Sequence, residues 1–310
     1  MDNVSDRRVD LLDKATWPAD VVACLKRHKR VLLAKERRDQ EHSREHRQLD
    51  RKSPAEQEAW RIRQYANQYD LRPHESALAE LVTVLGRHAL LGYHCTRLTE
   101  PEISRILSHG MQLPGGSMLE SRIRTIQSCG LIERELAEKL VADHQADATN
   151  RKGMIWFCFY PPHPATEHGI GSLLRFWGGE ALFQTWRHDA SVGPALQKIG
   201  MACLVEADVP VASLSPHSWL GRHVARQFLI NDGFKTNEPA LHEDWAHDPI
   251  LAANIRRIVR YPEPDFIRLT HCNEWELSLD TLSSPRPGRA QLSPKMWRSL
   301  RNNENSGVKA

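Results

Sequence analysis

Over the first 88 positions apolar residues recur at helical spacing; beyond them come short, unbroken apolar and aromatic runs. Between Val21 and Leu49 the chain is rich in Lys, Arg, Glu, Gln, Leu and Ala and holds no Gly or Pro, which predicts a helix. Its apolar positions, Val22, Leu25, Val31 and Leu32, thin out after Leu33, so the second half lacks an apolar face to bury. Ser53-Pro54 ahead of acidic residues predicts a capped helix from Pro54 to about Tyr69. A third helix, from Glu75 to His88, carries Leu78, Leu81, Val82 and Leu85 at helical spacing. From Leu90 the pattern changes. LLGYHCTRL and KGMIWFCFYPP read as strands, with the short amphipathic helix PEISRILSHGM after the first. Residues Ser121 to Gln145 read as helical despite Gly130, and GSLLRFWGGEALFQTW as a helix or turn. MACLVEADVPVASL is a further clear strand, and PDFIRLTHC and EWELSLDTL are strand-like. This order predicts an α+β protein with a loosely attached arm over 1–52, a helical region over 53–88 packing on a body over 89–285, and a polar tail over 286–310.

Composition narrows the class. With 310 residues, 40% hydrophobic and 26% charged, the chain can bury a real core. No run approaches the ~18 consecutive apolar residues of a spanning helix. The start MDNVSDRRVD has no apolar stretch behind its charges, so no secretory signal is read, and a cytoplasmic protein without a membrane partner is expected. The six cysteines form no C-x-x-C pair, and several lie in apolar runs, as buried thiols of a reducing compartment do. His271-Cys272 and Tyr93-His94-Cys95 have no matching ligand pair elsewhere, so no metal is expected. Charge is uneven. Lys26 to Lys52 hold eleven Lys/Arg against five Asp/Glu, a surplus of six against +3 for the whole chain. Such a segment fits a nucleic-acid contact, a solvated helix or a surface for an acidic protein.

The motifs from Tyr93 onward carry chemistry. Tyr93-His94-Cys95-Thr96 at a strand end, followed by EISRILSHGM, resembles the opening of ADP-ribosyltransferases of the poly(ADP-ribose)-polymerase-like, diphtheria-toxin-like branch. Lys152-Gly153-Met154-Ile155-Trp156-Phe157 resembles the Gly-Ile-Tyr-Phe strand of that family, with Trp156 where the family has tyrosine, and MACLVEADVP resembles the strand that follows. The resemblance spans about Leu90 to Thr281, with a helical insertion before Gly153. It implies an α+β catalytic domain with a split β-sheet and NAD+ as substrate. It implies that His94 donates to a ribose hydroxyl, that backbone groups around Tyr93, Thr96 and Gly153 hold the nicotinamide, and that Trp156 stacks on it. Tyr160 would supply the hydroxyl that tryptophan lacks.

Transfer of ADP-ribose passes through an oxocarbenium-like state, which a carboxylate stabilises as its charge develops. Glu274 in His271-Cys272-Asn273-Glu274-Trp275 echoes the family's late glutamate and is expected at the start of a strand. Glu180 in Phe176-Trp177-Gly178-Gly179-Glu180 competes with it, because two glycines let backbone approach a ligand closely. The resemblance implies a mono-ADP-ribosyltransferase acting on nucleic acid or protein, in the manner of a toxin or antiviral effector met by an antitoxin or chaperone. Two alternatives stay open. An NAD+-dependent RNA 2'-phosphotransferase needs a basic phosphate-binding set, of which only Arg97 is visible near His94. A non-catalytic nucleic-acid-binding protein would use the basic arm alone.

Overall fold

A computed structural model describes residues 8–49, 52–66, 70–215, 219–238 and 240–280. The protein is α+β, and its described strands join in one six-stranded sheet. In chain order the strands are β1 (Arg8–Val9), β2 (Ala89–Leu98), β3 (Ile155–Cys158), β4 (Met201–Pro210), β5 (Glu243–Ala246) and β6 (Ile255–Arg260). Spatially they run β5-β3-β2-β4-β6, all antiparallel, with β1 added in parallel to β2.

The pairings are unequal. β2 and β4 are in register along their whole length, from Ala89↔Pro210 to Leu98↔Met201. β2 and β3 meet only at Tyr93↔Cys158. A seam therefore divides the sheet between β5-β3 and β2-β4-β6.

Side chains alternate across β2, as a strand requires. Leu90, Gly92, His94, Thr96 and Leu98 share a face with Val205 and Val209 of β4. This face packs on α1 (Ala19–Leu49), α3 (Arg72–Leu85) and α10 (Leu220–Asn231). Tyr93 and Cys95 face the other way, onto α7 (Thr166–Arg175) and α11 (Pro264–Thr270). A second core of Leu119, Ile123, Trp177, Leu182 and Leu196 joins α5 (Gly116–Ser128), α6 (Arg134–Ala142), α8 (Glu180–Trp186) and α9 (Val192–Lys198). The helical stretch read over 121–145 is thus two helices, separated at Gly130, whose φ of +71° suits glycine.

The arm differs most from expectation. The first half of α1 is not loose: Val21, Cys24, Leu25 and Leu32 lie in the main core. Its inner face does not end at Leu33 but continues in charge. Buried Glu36 accepts from Arg226 Nε at 2.9 Å, and Asp39 from Arg222 at 3.1 Å, both on α10. A hydrophobic reading misses a stripe that switches from apolar to ion-paired residues. Beyond it, α2 (Pro54–Ala66) returns Trp60 onto α1, where its indole donates to Glu45.

Two late elements also differ. PDFIRLTHC is the helix α11, because Pro264 suits a first helical turn and Phe266 and Leu269 then share a buried side. EWELSLDTL holds no strand among its described residues, and the two late strands are instead β5 and β6, short and rich in charge. The 286–310 tail lies outside the described residues.

Candidate functional site

His94 stands half-buried in mid-β2, just past the one residue pair that ties β2 to β3. Its Nδ1 lies 2.8 Å from the carbonyl oxygen of Trp156. A carbonyl only accepts, so Nδ1 carries the proton and donates. Burial lowers the pKa of the ring; the Trp156 bond works against that shift and the nearby Arg122 charge adds to it. The imidazole is held neutral, with Nε2 as an acceptor. Nε2 can therefore accept a proton but has none to donate, the opposite of the donor role expected of His94. Thr96 is half-buried on the same face.

The other expected ligand-binding residues are not gathered around that ring. Tyr93 is buried on the opposite face, where burial and then Glu206, its neighbour on β4, push its phenol pKa up. Trp156 also faces away from His94, because it alternates with Phe157, whose ring lies 5.9 Å from the His94 ring. The Trp156 indole packs instead on its cross-strand partner Trp245, 4.8 Å between centroids. Tyr160 is buried in the main core, and burial raises its pKa. Gly153, in the turn before β3, has φ +71° and donates its N–H to Pro114 at 2.8 Å.

Of the two carboxylates, Glu180 follows the segment that packs on Arg122 and is itself exposed. Arg122 donates to Glu102 at 2.6 Å and lies 4.9 Å over the Trp177 ring. Trp177 in turn donates its indole N–H to Glu102 at 2.9 Å. Gly178 and Gly179, at φ +84° and +60°, then carry the chain to Glu180 at the start of α8. A Cβ on Gly178 would lie 2.3 Å from Leu182, so that turn excludes larger residues. Arg151 Nε holds Glu180 at 3.2 Å.

Glu102 and Arg122 are the residues a sequence reading passes over. Burial acts to raise the Glu102 carboxyl, but Arg122, the Thr99 N–H and Trp177 outweigh it and hold it low. Thr99-x-x-Glu102 is a capping box at the start of α4 (Glu100–His109), a signal available in the sequence.

Glu274 lies elsewhere. It ends a 3-10 turn, Cys272–Glu274, with its side chain 69% exposed, and not a strand. It lines a cleft of about 340 Å³ with His163, Thr166, Glu167, His271 and Trp275. His163 and His271 stack there at 4.4 Å, and Thr166 and His271 are the two non-glycine residues with positive φ among those described. Cys272 and Trp275 pack with Tyr93 and Cys95, so this cleft belongs to the sheet face opposite His94. Arg97 likewise faces away. It donates to the carbonyls of Ile199 at 2.7 Å and Leu174 at 3.3 Å, beside a second cleft of about 330 Å³.

Neither Tyr93-His94-Cys95 nor His271-Cys272 belongs to a metal-competent group among the described residues. One such group does form, from Cys24, His28 and Glu80. No helix of the described residues is long and apolar enough to cross a membrane. No protein-family model matches the chain, and no curated protein or solved structure matches it.

Proposed function

We propose that the chain is an NAD+-consuming mono-ADP-ribosyltransferase whose site is the seam between β2 and β3 beside His94. The observation that carries this reading is the single-pair contact at Tyr93↔Cys158, after which His94 reaches across to the Trp156 carbonyl. A seam of that kind leaves strand backbone beyond the pair free to meet a planar amide such as nicotinamide. The fixed tautomer of His94 offers Nε2 to a ribose hydroxyl, and Thr96 lies on the same face. Glu180, two glycines beyond Trp177 and paired with Arg151, is the carboxylate assigned to the developing oxocarbenium charge. Trp156 and Glu274, expected in these roles from the resemblance, are assigned none here because both lie on the other face of the sheet.

Nucleic acid is the acceptor class the surface favours. Lys26, Arg30, Arg37 and Arg44 are exposed on α1; Lys26 lies near Asp232, which pairs with Lys29, while Arg30, Arg37 and Arg44 make no salt bridge among the described residues. Their spacings of 4, 7 and 7 residues return to one helix face, giving a stripe about 27 Å long at 1.5 Å per residue. Such a stripe tracks phosphates and gains from counterion release. Labelled NAD+ incubated with the chain and separate DNA, RNA and protein acceptors tests this reading. Label that nuclease removes and protease leaves is expected. Label that only protease removes would overturn the acceptor assignment. Retention of nucleic acid with no release of nicotinamide would support a non-catalytic binder in place of the transferase. Replacing all four cations with Gln is expected to flatten the salt dependence of duplex binding by about three to four units of log–log slope.

A further inference from the structure

Cys24 and His28 lie one turn apart on the same face of α1, and Glu80 meets them from α3. The Cys24 thiol, a His28 ring nitrogen and a Glu80 carboxylate oxygen all fall within 4.8 Å of one another. A tetrahedral zinc ion with bonds of about 2.0–2.3 Å sets its ligand atoms roughly 3.3–3.8 Å apart. Closing these three donors on an ion therefore takes side-chain shifts on the order of 1 Å and no movement of backbone.

We infer that Cys24, His28 and Glu80 form a binding site for one divalent transition-metal ion, zinc by the character of its donors, that fastens α1 to α3. Thiolate and imidazole favour zinc over magnesium or calcium, which take oxygen ligands. Cys24 is buried in the main core, while His28 and Glu80 are 23% and 39% exposed. Cys24 thus approaches from the core side, and the partly exposed His28 and Glu80 leave the fourth position open to water. The carboxylate also has an outer anchor. One oxygen of Glu80 lies 2.7 Å from His28, and the other pairs with Arg27, as ligating carboxylates commonly do with a second partner. Metal entry replaces the His28–Glu80 hydrogen bond and displaces the thiol proton of Cys24 to solvent. The site is separate from the His94 seam, so its failure leaves the transferase reading untouched.

Cobalt(II) titration of the metal-stripped full chain tests the site. One equivalent is expected to give a thiolate-to-cobalt charge-transfer band with tetrahedral ligand-field absorption, and zinc is expected to bleach both. Zinc at 100 times its Kd would raise folding stability by about 2.7 kcal/mol. Cys24→Ser and His28→Gln are each expected to abolish the band with far-ultraviolet circular dichroism unchanged. Cys129→Ser, at the exposed cysteine, is expected to keep it. Should Cys24→Ser disturb folding, the partly exposed His28 decides. Absence of the band in the unaltered chain, or its persistence in His28→Gln, would overturn the site.

Discussion

Replacing His242 with phenylalanine is expected to remove part of the acid sensitivity of the fold. His242 and His223 stack at 4.4 Å between centroids, next to Phe159 at 5.7 Å from His242. His242 is buried, and its Nε2 has no hydrogen-bond partner. Burial lowers its pKa from 6.5 to about 4, and burial followed by the His242 charge also lowers that of His223. Both rings are neutral in the folded protein at pH 7. The unfolded chain takes up their protons near pH 6.5 while the folded chain does not, so stability falls as pH drops below that value. With pKa values of 6.5 unfolded and about 4 folded, His242 alone costs about 2 kcal/mol between pH 7 and pH 5. Urea unfolding of the chain and of His242→Phe at both pH values measures the difference. The variant is expected to lose about 2 kcal/mol less on acidification, whatever its stability at pH 7, because packing changes cancel in the comparison. An identical loss in the two proteins would refute the buried neutral pair.

Leu32→Ala is expected to destabilise the protein by about 2–5 kcal/mol, since Leu32 is 2% exposed in the main core, and urea unfolding reads the change. A loss near zero would restore the picture of a loose arm. Glu180→Gln is expected to lower kcat on the order of 10²-fold with little change in NAD+ affinity, while Glu274→Gln leaves kcat near that of the unaltered chain. Steady-state nicotinamide release separates the two, and the reverse pattern would return the role to the His163–His271 cleft.

How far the sequence reached depends on what kind of order each segment follows. β2 and β4 were readable because unbroken apolar runs such as LLGYH and MACLVE signal strands buried on both faces. The α4 capping box went unread although Thr99 and Glu102 act within one turn. β5 and β6 were not readable, because Glu243–Ala246 and Ile255–Arg260 are short and charged, and tertiary pairing holds them in place. The docking of α1 escaped because Glu36 and Asp39 continue a buried stripe through partners nearly two hundred residues away. Motif order read His94 at a strand end, whereas it stands in the middle of Ala89–Leu98, and alternation decided which side chains share its face. A one-residue offset sets Phe157 beside His94 and turns Trp156 to the far side. Glu274 and His94 fell apart for the same kind of reason. Sequence order carries no information about which face of a sheet a distant turn covers.

The most direct test of the account is the rate of nicotinamide release from NAD+ by the full chain with nucleic acid present, compared with that of His94→Ala. The account predicts measurable release that His94→Ala lowers on the order of 10²-fold or more, with a loss of stability of only about 1 kcal/mol from the missing Trp156 hydrogen bond. Undiminished release by His94→Ala, or none from the unaltered chain, would contradict it.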